Sequence, residues 1–412
     1  MLKRDNCRLC SSKEIECFLS LRSMPRAGEY LKEDDLQKQE ISYPLEVYFC
    51  KSCTSVQLLD IIPRDILFDD YRYLSSVASI SVLEHFKEYA KEIKERFVGK
   101  NYFVVEVACN DGILLKPLTE LDVNAIGVDP AKNIVEVAKN RNLTVINDFF
   151  GEKIASNIEK DYGKADLIVA NAVYAHVDDM DDLTNGITKL LKNSGIFIFE
   201  VHYLADIIET LQYDSIYHEH FSYHSVLALS NFLKKHGMEI FDVKKFPVRG
   251  GMIRVYARKI NGDYKENISV HVKEILEKEK QMKLHLFETY EEFGRKVAEH
   301  KKIITKMLQD LKKMGKKIVA YGMSGRGNTL LNYWNVGIDI IDYGIDASPE
   351  RYGRFVPGMH IPIKPPENAL EGIDVALLLA WIFADDIMKK EKAFTDRGGK
   401  FLIPLPIPHL VP

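Results

Sequence analysis

The chain has 412 residues, which is too long for one ordinary domain and predicts roughly two to four. Hydrophobic residues make up 46% and charged residues 28% of a composition typical of globular proteins. The formal charge of -4 argues against a nucleic-acid or membrane surface, and no apolar run is long enough to span a bilayer. No apolar segment follows the charged start Met1–Cys7, so we expect a cytoplasmic protein whose cysteines are ligands rather than disulfides.

Four of the six cysteines form two matched pairs near the start of the chain. Two residues separate Cys7 from Cys10, and two separate Cys50 from Cys53. Two such pairs supply the four thiolates of a tetrahedral zinc site, and because they fill its coordination sphere the zinc is predicted to be structural. The alternative is a pair of free or redox-active motifs. Cys17 has no partner pair.

A sheet domain is predicted after a helix at about 81–97. Short buried strands alternate there with helical segments, which predicts a parallel sheet with helices on both faces. Two later strands flank Arg249-Gly250-Gly251 and are typical of an antiparallel pair that closes the sheet. The predicted strands are 102–107, 125–130, 143–148, 165–171, 195–201, 238–243 and 252–257.

The turn after the first of these strands is the candidate cofactor site, since ligands of such sheets bind beyond the carboxyl ends of the strands. It contains one glycine, Gly112, and is therefore not the dinucleotide fingerprint. Glu106 in the first strand and Asp129 at the end of the second favour S-adenosylmethionine over NAD, because an acid at the second position commonly binds ribose hydroxyls. The cofactor-binding candidates are Glu106, Asn110, Gly112, Asp129, Asp148 and Asn171.

The stretch Tyr217–His224 contains three imidazoles, one carboxylate and two phenols in eight residues. Such groups are costly to bury unless each finds a partner, so packing does not account for this composition. Histidine is the side chain best suited to proton transfer near neutral pH. We interpret the stretch as the proton-transfer centre of an enzyme. The alternative is a polar loop or a structural histidine cluster.

A charged helical connector is predicted for about 264–314, and a second α/β unit follows it. The turn Gly322–Thr329 in this unit offers backbone N–H groups to a phosphate, and Arg326 adds a bidentate partner. It lacks the Lys-Ser/Thr ending of a Walker loop. The alternative is a purely structural glycine turn. The strands of this unit are predicted at 317–321, 340–346 and 375–380.

Taken in order, these motifs resemble the S-adenosylmethionine-dependent sugar C-methyltransferases, which act on nucleotide-linked 4-keto-deoxysugars. The resemblance covers essentially the whole chain. The strongest matches are IYHEHFSY at 216–223, GGMIR at 250–254 and YGMSGRGNT at 321–329. The other matching segments are both cysteine pairs and 71–76, 106–112, 127–131 and 171–176.

The resemblance implies an α/β fold of three domains. These are a small N-terminal zinc-binding domain (1–70), a central class I, Rossmann-like methyltransferase domain with the helical connector (71–300), and a C-terminal Rossmann-like α/β domain (301–412) that helps to hold the sugar nucleotide. The cofactors expected are S-adenosylmethionine and structural Zn²⁺. The expected partner is a small nucleotide-sugar substrate, with no nucleic acid and no membrane, and the protein is expected to be a monomer or weak homodimer.

The resemblance also assigns roles to single residues. His220 matches the proposed base, which removes a proton from C-3 beside a 4-ketone so that the resulting enolate carbon can be methylated. The other catalytic candidates are Tyr217, Glu219, His176 and Tyr71. The substrate-binding candidates are His218, Tyr223, Arg254, Tyr321, Ser324, Arg326 and Asn328.

Three rival functions are weighed against this one. The nearest is O- or N-methylation of a related nucleotide sugar, which would use the same fold. A non-catalytic zinc protein that binds S-adenosylmethionine would have no need of the proton-transfer groups in Tyr217–His224. A four-cysteine nucleic-acid module is disfavoured by the acidic total charge.

Overall fold

The computed structural model describes residues 2–63, 66–67, 74–75 and 80–412. The chain folds into two compact units that are assembled from interleaved segments. The consecutive boundaries expected from the sequence, at 70 and 300, stay a prediction. Unit 1 consists of Met1–Glu16, Phe49–Ala205 and Phe221–Leu286, and unit 2 consists of Cys17–Tyr48, Asp206–His220 and Phe287–Pro412.

Strands and α-helices are numbered separately in chain order. The strands are β1 (Leu2–Lys3), β2 (Ile15–Met24), β3 (Tyr43–Cys50), β4 (Val56–Leu58), β5 (Asp60–Ile61), β6 (Phe103–Val107), β7 (Asn124–Asp129), β8 (Val145–Asn147), β9 (Ala165–Asn171), β10 (Leu191–His202), β11 (Ser222–Tyr223), β12 (Met238–Phe246), β13 (Met252–Lys259), β14 (Ile318–Tyr321), β15 (Gly344–Ile345), β16 (Ile363–Lys364), β17 (Val375–Leu378), β18 (Lys400–Ile403) and β19 (His409–Val411). The helices are α1 (Ile80–Arg96), α2 (Leu115–Glu120), α3 (Lys132–Asn140), α4 (Glu152–Tyr162), α5 (Met180–Leu190), α6 (Leu204–Glu209), α7 (Val226–Lys235), α8 (Val270–Gln281), α9 (Phe287–Lys313), α10 (Gly325–Trp334), α11 (Ala384–Lys390) and α12 (Lys392–Asp396).

The central sheet of unit 1 has the strand order β12-β13-β10-β9-β6-β7-β8. The five strands from β6 to β10 pair in parallel, whereas β13 is antiparallel to both β10 and β12. β6 reads FVVEV and is buried at every position, as expected for a strand covered on both faces. The sheet confirms the class I, Rossmann-like fold expected from the sequence, and it places the carboxyl ends of β6, β7, β8 and β9 at one edge.

Unit 2 contains a second, smaller sheet with the order β16-β15-β14-β17-β18-β19. All pairs are parallel except β18 with the final strand β19. Val319, Ala376 and Phe401, from three neighbouring strands, share one buried cluster with Phe394 of α12. Only the first three residues of the turn predicted at 322–329 join β14 to α10 at the carboxyl edge of this sheet, because the helix already begins at Gly325.

Two other predicted elements differ clearly from the structure. The connector predicted for 264–314 is two helices, α8 and α9, because the helical conformation is interrupted at 282–286, where Lys283 has φ 56°. The strand predicted at 340–346 shortens to β15, since the N–H groups of Ile340 and Ile341 both bond the Gly337 carbonyl in a turn. In the described part of the chain, no helix has the length and apolar character needed to cross a membrane.

Candidate active site

The four paired cysteines come together in unit 1. Their sulfur atoms all lie within 4.8 Å of one another, with Cys7 Sγ 3.5 Å from Cys53 Sγ and Cys10 Sγ 3.6 Å from Cys50 Sγ. A tetrahedral zinc ion with Zn–S bonds of about 2.3 Å holds its sulfurs roughly 3.8 Å apart, so the cluster fits the ion.

The two cysteine loops also share one backbone conformation. Ser11 N–H donates to the Cys7 carbonyl, and Thr54 N–H donates to the Cys50 carbonyl in the same way. Ser11 and Thr54 have nearly equal positive φ angles, 61° and 62°. Since four thiolates leave no open coordination position, the zinc holds this part of the fold together and takes no part in chemistry.

Asp129 is the anchor of the candidate cofactor edge in unit 1. It ends β7 and is buried, and its Oδ2 accepts the Asn110 N–H at 2.9 Å while its Oδ1 accepts the Ala131 N–H at 3.0 Å. Burial raises the pKa of the Asp129 carboxyl, and the two N–H donors oppose that shift. A carboxylate has about four acceptor positions, so Asp129 can still accept from ribose hydroxyls.

Glu106 and Asn171 present buried polar atoms near this edge. Within the described residues, Glu106 Oε2 and both polar side-chain atoms of Asn171 make no hydrogen bond of normal geometry. Burial raises the pKa of Glu106 to about 8, and the Asn171 amide opposes this. Because buried polar groups are normally hydrogen-bonded, these atoms fit a polar ligand such as S-adenosylmethionine.

Gly112 is required by the turn itself. Its φ is +91°, and a Cβ there would lie 2.2 Å from Leu143 Cδ1. Asn110 Oδ1 accepts from the N–H and the hydroxyl of Ser75, both at 3.0 Å, and exposed Asp148 follows β8. The structure therefore places all six cofactor candidates at the carboxyl edge of the unit 1 sheet.

In unit 2, the structure brings Tyr217 and His220 into contact. His220 Nδ1 lies 2.8 Å from the Ser215 carbonyl oxygen, and His220 Nε2 lies 2.8 Å from the Tyr217 hydroxyl. A carbonyl can accept but not donate, so Nδ1 carries the hydrogen, and in the neutral ring Nε2 is then an acceptor. The Tyr217 hydroxyl donates to it. His220 is thus a buried imidazole whose Nε2 lone pair faces a phenol.

The two residues between them have separate surroundings. His218 is buried, and its Nε2 donates to the Tyr43 carbonyl at 3.1 Å. Glu219 is half-buried; burial raises the pKa of its carboxyl, and the charge of Arg26 opposes the shift. Glu219 is therefore easier to protonate than an ordinary glutamate.

The remaining unit 1 candidates lie in different settings. Half-buried His176 ends a short 3-10 turn after β9, while Tyr223 is buried in β11 and pairs with Val56 of β4. Arg254 is 1% exposed, and its guanidinium binds Glu200 at 2.7 Å and Glu92 at 2.7 Å. Its carbon Cζ also lies 3.3 Å from the centroid of the Tyr89 ring. Arg254 therefore belongs to a buried ion-pair network. The catalytic candidate Tyr71 lies outside the described residues.

Most of the substrate candidates in and next to the glycine-rich turn make side-chain hydrogen bonds to other residues of unit 2. The Tyr321 hydroxyl donates to Glu391 at 2.7 Å, and fully buried Asn328 donates to the Ala27 carbonyl. Ser324 is the N-cap of α10, with its hydroxyl accepting the Gly327 N–H.

Arg326 has partners that the sequence did not suggest. Its Nε and Nη2 bind the two carboxylate oxygens of Asp214, each at 2.9 Å, and Trp381 Nε1 also donates to Asp214 at 2.8 Å. Asp214 directly precedes Ser215, whose carbonyl binds His220. The position of Asp214, three residues before Tyr217, indicates that it lies near the histidine-rich stretch. Its pairing with Arg326, 112 positions away, cannot be read from the sequence.

Comparison with known proteins identifies the family. Three family profiles match: a zinc-binding domain at residues 7–68, a methyltransferase domain at 82–243 and a C-methyltransferase C-terminal domain at 247–406. C-methyltransferase NovU from Streptomyces niveus is 32% identical over 409 residues, which cover 99% of this chain and 97% of that protein.

Other similarities are partial. A ubiquinone biosynthesis O-methyltransferase from Pelagibacter ubique is 32% identical over 117 residues, or 27% of this chain and 45% of that protein. Among solved structures, the CcbJ methyltransferase from Streptomyces caelestis covers 46% of this chain and 100% of its own, with 12% identity and a TM-score of 0.35, and is too distant to add to the assignment.

The family profiles account for the zinc-binding cysteines and for the cofactor edge in the order that the sequence predicted. The full-length match to NovU decides between transfer to carbon and the rival functions. This chain therefore belongs to the S-adenosylmethionine-dependent C-methyltransferases that carry an N-terminal zinc-binding domain.

Proposed function

We propose that the protein methylates C-3 of a nucleotide-linked 4-keto-deoxysugar, with His220 as the base. The observation that carries the proposal is the pair of hydrogen bonds at His220. They leave Nε2, which carries the lone pair, as the basic atom of the imidazole. Transfer to carbon requires such a base, because a sugar carbon must first lose a proton. Only the neutral form of an imidazole can take one, and the Nδ1–H bond to the Ser215 carbonyl is compatible with that form.

The proton beside the ketone is acidic because the electron pair of the broken C–H bond moves onto the ketone oxygen. His220 Nε2 takes the proton, and the ring becomes an imidazolium that later returns the proton to solvent. When bound, S-adenosylmethionine would supply the electrophilic methyl group for the new C–C bond, and the electron pair of the broken S–C bond would stay on its sulfur. Asp129, Glu106 and Asn171 would hold it.

The developing enolate oxygen needs a hydrogen-bond donor. Protonated Nε2 can no longer accept from the Tyr217 hydroxyl, so proton transfer to His220 releases that hydroxyl as a donor. We propose that it then stabilises the enolate, with His176 as the other candidate. Because its pKa is raised, Glu219 can influence which groups near the imidazole carry a proton.

The nucleotide diphosphate is proposed to bind at the turn that begins α10. Ser324 and the first N–H groups of α10 lie at the carboxyl edge of the unit 2 sheet, where ligands of such sheets bind. Binding of the nucleotide would position a sugar that is too small to anchor itself. We also propose the cytoplasmic location expected from the sequence, because cysteines must stay reduced to bind zinc.

The experiment is mass spectrometry of the protein with S-adenosylmethionine and a panel of nucleotide 4-keto-6-deoxysugars in deuterated water. One added methyl on carbon, together with deuterium beside the ketone in unreacted sugar, is the expected result. A methyl on oxygen or nitrogen would contradict the enolate mechanism.

His220→Asn tests the base. This variant is expected to bind S-adenosylhomocysteine normally, to lose more than about 100-fold in kcat and to stop deuterium exchange. His236→Asn is the matched control, because His236, directly after α7, pairs with Asp181 and has no proposed role. Turnover of His220→Asn within a fewfold of the wild type would place the base elsewhere.

A further inference from the structure

The surroundings of Arg326 are those of a structural ion pair. Among the described residues, at least three of its five N–H donors are used within unit 2, two on Asp214 and one on Gln212 Oε1 at 3.1 Å. We infer that Arg326 is a positioning residue that holds the loop carrying His220, and that it is not the ligand of the substrate's diphosphate. The inference rests on the proposal that His220 is the base.

The route from Arg326 to His220 is short and continuous. Asp214 and Ser215 are adjacent in the 3-10 turn Tyr213–Ser215, and the Ser215 carbonyl accepts from His220 Nδ1 at 2.8 Å. The Ser215 hydroxyl donates to the Gln212 carbonyl at 2.7 Å, so the second partner of Arg326 is tied to the same turn. A shift of Asp214 therefore moves the carbonyl that sets the tautomer and direction of the His220 ring.

Helix α10 holds this turn at both ends of the helix. Arg326 lies in its first turn, and Trp334 at its last residue donates from Nε1 to the Tyr213 hydroxyl at 2.7 Å. Tyr213 passes its own hydrogen to His300 Nδ1 at 2.8 Å, because His300 Nε2 donates to the Pro404 carbonyl. Two neighbouring residues of the loop are thus fixed to one rigid element.

The charge balance also argues against phosphate binding by Arg326. Asp214 is fully buried, and its carboxylate is matched by the guanidinium and by the indole N–H of Trp381. A diphosphate that took Arg326 would leave this carboxylate buried without its cation, and removing one partner of a buried ion pair is strongly destabilising.

The experiment compares Arg326→Gln, Asp214→Asn and the double variant. A catalytic group displaced by roughly 1 Å loses about 100-fold in rate, so each single variant is expected to lower kcat by that order while KM stays within about threefold. The double variant is expected to be no worse than the worse single variant, because both changes break one unit. Trp381→Phe, which removes the hydrogen bond to Asp214 and keeps an aromatic ring, is expected to lower kcat less and in the same direction.

Arg258→Gln is the matched control for loss of a partly buried arginine pair. Arg258 binds Glu239 at 3.0 Å and has a side-chain exposure of 12%, against 16% for Arg326. Thermal unfolding of both variants measures the loss of stability, and only Arg326→Gln is expected to change kcat.

Two readouts do not depend on the sugar. Inorganic pyrophosphate binding, measured by calorimetry, is expected to be unchanged in Arg326→Gln; a loss of tenfold or more would overturn the inference in favour of a phosphate ligand. In ¹⁵N-histidine NMR spectra, assigned with His220→Asn, the His220 Nδ1–H signal is expected to shift in Arg326→Gln and Asp214→Asn. An unchanged signal would also overturn it. Absence of turnover by the wild type on every sugar would instead count against the proposed function alone.

Discussion

At the scale of single residues, hydrogen bonding and burial give neighbouring histidines different chemistry. His220 and His224 are both buried, but His220 is held between a carbonyl and a phenol, each 2.8 Å away. Burial, with a smaller contribution from the Arg8 charge, lowers the pKa of His224 to about 4, although a hydrogen bond with the Tyr174 backbone opposes the shift. A group with such a low pKa is a weak base at neutral pH, which argues against His224 as the catalytic base.

His224 is expected to make stability depend on pH. Its folded-state pKa lies below its unfolded value of about 6.5, so it adds stability that is complete above pH 6.5 and is lost as the pH falls toward 4. The loss amounts to at most about 3 kcal/mol. Urea unfolding at pH 7 and pH 4.5 is expected to show a smaller pH effect in His224→Gln than in the wild type. Equal losses in both proteins would contradict this.

Tyr217→Phe is expected to separate binding from chemistry. When the Tyr217 hydroxyl is removed, the enolate oxygen loses a hydrogen-bond donor. Such a loss lowers kcat about 100-fold or more at comparable sites. KM and the affinity for S-adenosylhomocysteine are expected to stay near the wild-type values. Tyr162→Phe, at an exposed tyrosine of α4, is the control. An unchanged kcat in Tyr217→Phe would leave His176 as the donor.

At the scale of elements, the sequence predicts what depends on local pattern and misses what depends on distant partners. The strands of the unit 1 sheet and the turn around Gly112 follow from apolar runs and glycine, and the structure has them. The strand at 340–346 was overestimated because Ile340 and Ile341 are buried in a turn, and burial alone does not distinguish a turn from a strand. The Arg326–Asp214 pair could not be predicted, because nothing local to either residue names the other.

Gly112→Ala is expected to damage both the fold and the cofactor edge. A positive φ costs an alanine about 1 kcal/mol, and contact with Leu143 adds to this. Gly163→Ala is the matched control, since Gly163 also has a positive φ, +84°, but no described atom beyond its chain neighbours lies within 4 Å of the place that an alanine Cβ would take. Thermal unfolding is expected to rank Gly112→Ala as the less stable variant, and calorimetry to show weaker S-adenosylhomocysteine binding in that variant alone. Equal effects of the two substitutions would show that the Leu143 contact is relieved at no cost.

At the scale of the whole molecule, the chain passes repeatedly between the two units. It enters unit 2 at Cys17, returns to unit 1 at Phe49, and leaves again for 206–220, the segment that carries His220. The zinc ligands flank the first unit 2 segment, 17–48, in the sequence: Cys7 and Cys10 precede it, and Cys50 and Cys53 follow it. The cysteine spacing predicted the site, but the interleaving could not be read from spacing, because it depends on which segments pack together. The zinc therefore closes the loop formed by 17–48.

Removal of zinc is consequently expected to act on the whole fold. Cys53→Ser leaves three thiolates for an ion that needs four ligands, and loss of a structural metal is among the changes that cost about 4 kcal/mol or more. Zinc content is expected to fall from one ion per chain toward none, with a lower unfolding temperature and loss of methyl transfer. Cys17→Ser is the control, because Cys17 is exposed and lies outside the cluster. If Cys53→Ser lost its zinc but kept its stability, the metal would not stabilise the fold by closing this loop. A role in binding the substrate would not replace that role, since four thiolates leave the ion no open position.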